Sequence, residues 1–372
     1  MNPEQFFAHL LQLAAPFTME RVETKMSGTQ IKEVILHIAV SSEYRPEGYE
    51  YSHSSHKRRW QHLHLFQYPC YIECDVPVYQ RKSDMQTLQL PVPWSRANSG
   101  FTLLFESQVL ALIQMTSSIA ATARHLGLYP HRVQTIFDAY TQGAYHEFVG
   151  NGIEAPTSIG VDETNCHKGH DYITVAVDME TTTILAIEDG KSSESLMAIA
   201  KRMDEPEKVT SVSLDMSPAF IKASREGFPN ATLTFDRFHV VRLVERAFRD
   251  LHRPKNAPHG RLRFWQDQFS LVYEQKTLSQ AAAFLTYWCD SLEEAVLKAE
   301  ALVRSVRAHA EGIISFVATR LTNGVLEGIN SKIQIIKRAA RGYRYTTNFK
   351  RMILFAFGVI QPRLYTFPTK SK

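Results

Sequence analysis

Two kinds of hydrophobic periodicity alternate along the chain. Residues 1–15 set Phe6, Leu10, Leu11 and Leu13 among polar positions and predict a short amphipathic helix packed on the edge of its own chain. From residue 31 to 78 the spacing becomes strand-like, with strands expected at 33–40 and 71–76. The polar stretch between them, 53–60, reads as a basic, histidine-rich loop whose Arg58, Arg59 and Trp60 suit phosphates and a base face, or simply solvent. A Pro-Val-Pro-Trp run followed by small polar residues makes 91–100 a linker. Beyond it the period turns helical, with Leu104, Val109, Leu112 and Ile113 apolar, and 118–137 follows with the wording of a helix-turn-helix. Ser118 is placed to cap its first helix, Gly127 to make the turn and Pro130 to open a second helix. That helix would present His131, Arg132, Gln134 and Thr135 to a major groove, with Gln134 the best base reader, although a plain three-helix bundle has the same spacing.

From 158 onward the pattern is that of an α/β domain. Apolar runs at 159–162, 172–177 and 183–187, the last two separated by turn-forming residues 178–182, predict three antiparallel strands. A helix at 192–203, a strand ending at Asp215, a helix at 218–226, a strand at 232–235 and a helix opening at Asp236 complete the order βββαβαβα. This is the order of a ribonuclease H-like core, a mixed five-stranded sheet whose first and fourth strands are neighbours. Residues 240–312, helical with a basic, proline-broken interruption at 252–263, read as a helical insertion before a last helix at 323–338. The expected domains are therefore 1–93, a β-rich segment; 94–150, the helix-turn-helix; and 151–372, the catalytic core with its insertion.

This arrangement gives three carboxylates a common purpose. Asp162 and Asp215 are expected to close adjacent strands although 53 residues separate them, and Glu327 arrives on the last helix. Oxygen ligands of this kind hold Mg²⁺, with Mn²⁺ an acceptable substitute, and two such ions about 3.5–4 Å apart drive in-line phosphodiester chemistry. In this reading Asp162 bridges both ions while Asp215 and Glu327 each hold one. Glu163 is set aside because strand alternation points it to the opposite face. Taken singly, acids at strand ends and helix caps are more often structural. Asp236 is a natural helix cap, and His239 one turn on is placed to face the carboxylates, with capping alone the competing reading. On the last helix Glu327, Asn330, Gln334 and Lys337 share one face and Leu326, Ile329, Ile333 and Ile336 another, so a buried stripe would fix an acid followed by DNA-contacting groups.

Charge sharpens the picture. The net charge is only +4, yet 317–372 holds eleven Lys and Arg against the single acid Glu327. Such a block, including Arg338, Arg341 and Arg344 interleaved with aromatics, suits a polyanionic partner. Four cysteines without a Cys-x-x-Cys argue against a disulfide framework and for a reducing compartment. Zinc is not expected: His53, His56, Cys70 and Cys74 have the right chemistry, but on one strand Cys70 and Cys74 would lie about 13 Å apart. Neither a secretion signal nor an apolar run of membrane-spanning length is read in the sequence, so a soluble intracellular protein is expected.

Four ordered blocks carry a resemblance. Val161-Asp162-Glu163 with Lys168-Gly169-His170, Leu214 to Phe220, Asp236-Arg237-Phe238-His239, and Asn323-Gly324 to Asn330 with Lys337 and Arg341 to Arg344 resemble the ISL-three family of bacterial insertion-sequence transposases, from about residue 30 to the end. The resemblance implies a DDE transposase with Asp162, Asp215 and Glu327 as the metal-binding triad, acting on double-stranded transposon ends and target DNA. It also implies at least a dimer when two ends are held, in the bacterial cytoplasm at the nucleoid. Family members usually carry an N-terminal zinc ribbon, but the corresponding stretches 41–48 and 80–86 contain no cysteine. That departure leaves open a transposase-derived protein that binds DNA without cleaving it; another ribonuclease H-like nuclease is a third reading.

Overall fold

The computed structural model describes residues 2–54, 57–166, 171–252, 259–296 and 298–361. Lys168, Gly169 and His170, and His56 of the histidine-rich segment, lie outside the described residues. The chain groups into two compact units, one within 1–138 and the other at 139–361.

The first unit begins with helix α1 (Pro3–Leu10), capped by Asn2 and Gln5 in a reciprocal capping box. Its four-stranded sheet has the order β1-β2-β5-β4, formed by β1 (Phe17–Ser27), β2 (Gln30–Val40), β5 (Tyr68–Cys74) and β4 (Arg58–Leu65). A smaller sheet combines β3 (Tyr49–Ser54), β6 (Pro77–Arg81) and β7 (Thr87–Gln89). The segment expected as a loop at 53–60 is thus partly strand, because Arg58 to His62 pair with β5. The stretch expected as a linker is fastened down: Trp94 packs edge-on against both Phe17 and Trp60, and Leu103 N–H donates to the Trp94 carbonyl. Helices α2 (Leu103–Thr116), α3 (Ile119–His125) and α4 (Pro130–Gly150) follow. Ser118 caps α3 through its hydroxyl, and Gly127 takes a φ of +64°, a left-handed turn that suits glycine. A buried Glu106 on α2 accepts a hydrogen bond from Ser99 and a two-oxygen contact from Arg96, tying the start of this region together.

The second unit is built on a mixed sheet of order β10-β9-β8-β11-β12: β8 (Ser158–Asn165), β9 (Tyr172–Asp178), β10 (Ile184–Asp189), β11 (Ser211–Leu214) and β12 (Thr232–Phe235). The first three are antiparallel, and β11 pairs in parallel with both β8 and β12. This is the ribonuclease H-like order that the pattern predicts. Helices α5 (Ser193–Arg202) and α6 (Pro218–Gly227) connect the strands, and after β12 come α7 (Arg237–His252), α8 (His259–Phe269), α9 (Leu278–Ala295), α10 (Glu300–Ala308), α11 (Ala310–Ile314) and α12 (Phe316–Thr319). This inserted group has its own aromatic centre, in which Phe248 and Phe269 pack on Trp288, and it meets the sheet where Ser315 Oγ donates to the Leu233 carbonyl. The chain then returns as α13 (Gly324–Ala339) and α14 (Thr346–Ala356). Among the described residues no helix is long and apolar enough to cross a membrane.

Candidate active site

The site is set by how α13 lies on β8. Gly160 leaves room for Leu326, Asp162 Oδ2 accepts from Asn330 Nδ2 at 2.7 Å, Thr164 Oγ1 accepts from Gln334 Nε2 at 2.7 Å, and Asn165 accepts from Lys337 Nζ at 2.6 Å. Two residues of strand cover about 6.6 Å and four of helix about 6 Å, so the two elements run side by side and stay in step. Leu326, Ile329, Ile333 and Ile336 are buried, as the apolar stripe predicts, and hold the helix in this register.

The pairing of β8 with β11 sets two of the acids level with each other. Gly160 pairs with Ser213, so Asp162 and Asp215 both stand two residues beyond that pair on neighbouring strands. Asp162 does not close its strand as expected: β8 continues to Asn165 because Glu163, Thr164 and Asn165 still pair with β9. Glu327 precedes Asn330 by three residues, about 4.5 Å of helix rise, and Asn330 touches Asp162. Glu327 is exposed and lines a cleft of about 300 Å³ together with Asp236, Phe238 and Asn323.

The electrostatics are those of crowded acids. Burial pushes the Asp162 carboxyl up to about 6, with Asp215 and Asp236 adding to the rise and His239 and the Glu163 amide opposing it. Glu163 lies on the other face of β8, yet it is pushed up to about 7 by burial and by the charges of Asp215 and Asp162. Alternation alone would have left it out of this group. Asp236 caps α7 as expected, its Oδ2 accepting from the His239 N–H, and the same oxygen also meets His239 Nδ1 at 2.7 Å. That contact raises the imidazole above its ordinary pKa, and Asp162 and Asp215 raise it further.

The donors fit a hard divalent cation in type: carboxylate oxygens of one sign, with buried Glu163 Oε2 and Asn330 Oδ1 lacking a hydrogen-bond partner among the described residues. They are not yet closed around one: among the described residues no group of three or more His, Cys, Asp or Glu comes together as an ion cage. Ser213 and Asn323 are also part of this site, since the Ser213 hydroxyl hydrogen-bonds Asn323 Oδ1 at the foot of α13. The signal for them is a buried polar residue inside an otherwise apolar strand.

The residues expected on DNA divide into two groups. Arg338, Arg341 and Arg344 are exposed, and with Lys337, Cys166 and Tyr343 they line a cleft of about 600 Å³. His131 is exposed beside a stacked Tyr129. By contrast, Trp60 is 1% exposed in the core of the first sheet and offers no face to a base. Arg59 stacks on Tyr71 and pairs with Glu73, which its strand position places opposite it, and with Glu33 one strand further across the sheet. Arg58 reaches Gln89 and lies over the Trp60 ring. Arg132 lies over Phe101, Gln134 donates to Asp138 one turn on, and Asn330 and Lys337 are turned onto β8. Cys70 and Cys74 both lie on β5 with buried thiols, pushed up to about 11 and about 12.

Two family models agree with this architecture. A family described as transposase, of the DDE ISL3 type, matches residues 159–263 and 255–353, and the helix-turn-helix domain of transposase family ISL3 matches 90–141. The chain is 24% identical over 297 residues to the transposase for insertion sequence element IS1001 of Bordetella parapertussis, covering 68% of this chain and 72% of that protein. It is 26% identical over 199 residues to the transposase for insertion sequence element IS1557 of Mycobacterium tuberculosis (strain CDC 1551 / Oshkosh), covering 51% of this chain and 43% of the relative. The catalytic core domain of BIV integrase aligns with 48% of this chain and 99% of its own at 14% identity, with a TM-score of 0.18. With both its core and its helix-turn-helix matched in order, the chain belongs to the ISL3 family of transposases.

Proposed function

We propose that this chain binds the terminal inverted repeats of an insertion sequence, cleaves DNA at those ends and transfers the freed 3′ end to a target. The observation that carries the reading is a pair of registers: β11 on β8 sets Asp162 level with Asp215, and α13 on β8 puts Glu327 less than one helical turn from the Asn330–Asp162 contact. Asp162, Asp215 and Glu327 are the residues that would hold a pair of Mg²⁺ ions, with Mn²⁺ able to replace them. When bound, such a pair activates the attacking oxygen and neutralises the leaving 3′-oxygen.

The chain's own groups prepare that chemistry. Asn330 and the Glu163 amide fix the two Asp162 oxygens, so the carboxylate is oriented before DNA arrives. His239, kept cationic more readily by Asp236 on Nδ1, balances the acids and leaves Nε2 as the nitrogen that can exchange a proton with a reacting oxygen. The helix-turn-helix at α3 and α4 reads the repeats, and Arg338, Arg341 and Arg344 meet phosphates. Two ends require two such sites, so at least a dimer forms on DNA.

The test is incubation of the protein, Mg²⁺ and labelled DNA bearing the element's own terminal repeats. Cutting at the repeat ends is expected. Binding without cutting would instead favour a DNA-binding protein that has lost its chemistry, and cutting indifferent to the repeats would favour a different nuclease.

A further inference from the structure

Helix α7 carries a surface that cleavage chemistry leaves unused. Phe238, in its first turn, is 50% exposed and lines the same cleft as Asp236 and Glu327. Steps of four, four and three residues lead from Phe238 to Arg242, Arg246 and Arg249, all exposed, so the four side chains share one face of the helix. The opposite face is fixed by buried Val240, Val244 and Phe248. Arg242 stands 5.3 Å from the Phe238 ring centroid, His239 meets that ring edge-on, and of the acids beside the stripe Glu245 is turned to Gln266 while Asp250 lies at its far end, next to Arg249.

An aromatic ring followed by a row of cations is the physical recipe for holding single-stranded nucleic acid. The ring stacks on any base that offers its face, and the cations track the phosphates. A base inside a duplex is already stacked on both sides and offers no face. The row spans eleven residues of helix, about 16 Å, and begins at the catalytic acids.

We propose that α7 is a track for an unpaired DNA strand: Phe238 stacks on a nucleobase displaced from the duplex beside the scissile phosphate, and Arg242, Arg246 and Arg249 follow the same strand away from the cleft. The proposal rests on the reading of Asp162, Asp215 and Glu327 as the cleavage site. It assigns the first helix of the insertion a substrate-holding role, and it makes local melting of the transposon end part of recognition.

The experiment uses the full chain and a repeat-end duplex with a short single-stranded tail, carrying 2-aminopurine next to the cleavage position, in the absence of divalent ions. Wild-type protein is expected to quench the probe and to bind tailed DNA more tightly than blunt DNA. Phe238→Ala removes the quench and lowers tail affinity by about 5- to 150-fold, the range for one base stack, while Phe238→Trp retains both. Replacing Arg242, Arg246 and Arg249 together by Ala reduces the salt dependence of tail binding by about 2 in slope. The proposal is overturned if wild type gains nothing from the tail, if Phe238→Ala quenches and binds like wild type, or if polyglutamate displaces the tail as well as oligothymidylate does. If Phe238→Ala is silent while wild type cuts in Mg²⁺, the track fails and the cleavage reading stands. If the stack is present but wild type never cuts, the cleavage reading fails and the track stands.

Discussion

Gly160 is where the catalytic register can be tested with one methyl group. A Cβ at this position would lie 2.7 Å from Leu326 Cδ1, 3.3 Å from Leu326 Cγ and 2.5 Å from Met179 Sδ. Carbon atoms pack best at about 3.5–4.0 Å, so Leu326 must retreat by about 1 Å. The Met179 contact is with the far end of a half-buried flexible side chain, which can swing aside. Leu326 cannot do so easily, because it is fully buried. The C-terminal part of α13 is pinned to β8 through Gln334 and Lys337, so the displacement falls on its first turn, which carries Glu327. Gly160→Ala should therefore cost about 1–3 kcal/mol of stability, as overpacking does, and slow end cleavage about 100-fold through misplacement of Glu327. Denaturant unfolding and single-turnover cleavage of a labelled repeat end read the two effects, with gel-shift binding of the repeats as the unchanged control. Leu326→Ala alone should also destabilise, by about 2–5 kcal/mol, through the cavity it leaves. The double variant should lose less than the sum of the two, with at least about 1 kcal/mol of coupling. Additive losses, or a Gly160→Ala protein that is as stable and as fast as wild type, would refute the register argument.

Other outcomes follow from the same contacts. Asp162→Ala should abolish cleavage and strand transfer while repeat binding persists in a gel shift; equal loss of both would make Asp162 a structural residue. Arg96→Ala should destabilise by up to about 3–5 kcal/mol in chemical unfolding, because it takes the guanidinium from the fully buried Glu106 carboxylate, and adding Glu106→Gln should recover part of that loss. His62, hydrogen-bonded to Thr102 at 2.9 Å, is pushed down to about 4 by burial and so stays neutral in the fold. A depressed histidine contributes stability that is complete above pH 6.5 and is lost as pH falls toward 4, at most about 3 kcal/mol. Unfolding curves from pH 7 to 4 should therefore be flatter for His62→Gln than for wild type, and identical slopes would exclude the effect.

The sequence by itself determined those features that depend on near neighbours along the chain. Alternating and apolar runs placed the five core strands and their order, Ser118, Gly127 and Pro130 marked the helix-turn-helix, and the apolar stripe from Leu326 to Ile336 oriented the last helix. Each rests on a local rule: side chains alternate on a strand, recur every three or four residues on a helix, and break at caps and turns. The level positions of Asp162 and Asp215 were legible for the same reason, since both follow from this strand order.

Only the tertiary structure decided which face of each polar residue is taken. Trp60 reads as an exposed aromatic in a basic segment but fills the first sheet's core, and Arg59 is held by Glu33 and Glu73 from two other strands of that sheet. Asn330 and Lys337, grouped with DNA-contacting residues by helical spacing, are turned onto β8 because α13 runs in step with that strand. Glu163 was set aside by alternation, yet at the edge of a crowded site charge acts through the sheet as well as across its face. Hydrogen bonds, burial and charge are decided by neighbours more than a hundred residues away, as with Ser213 and Asn323, and no local pattern records who those neighbours will be.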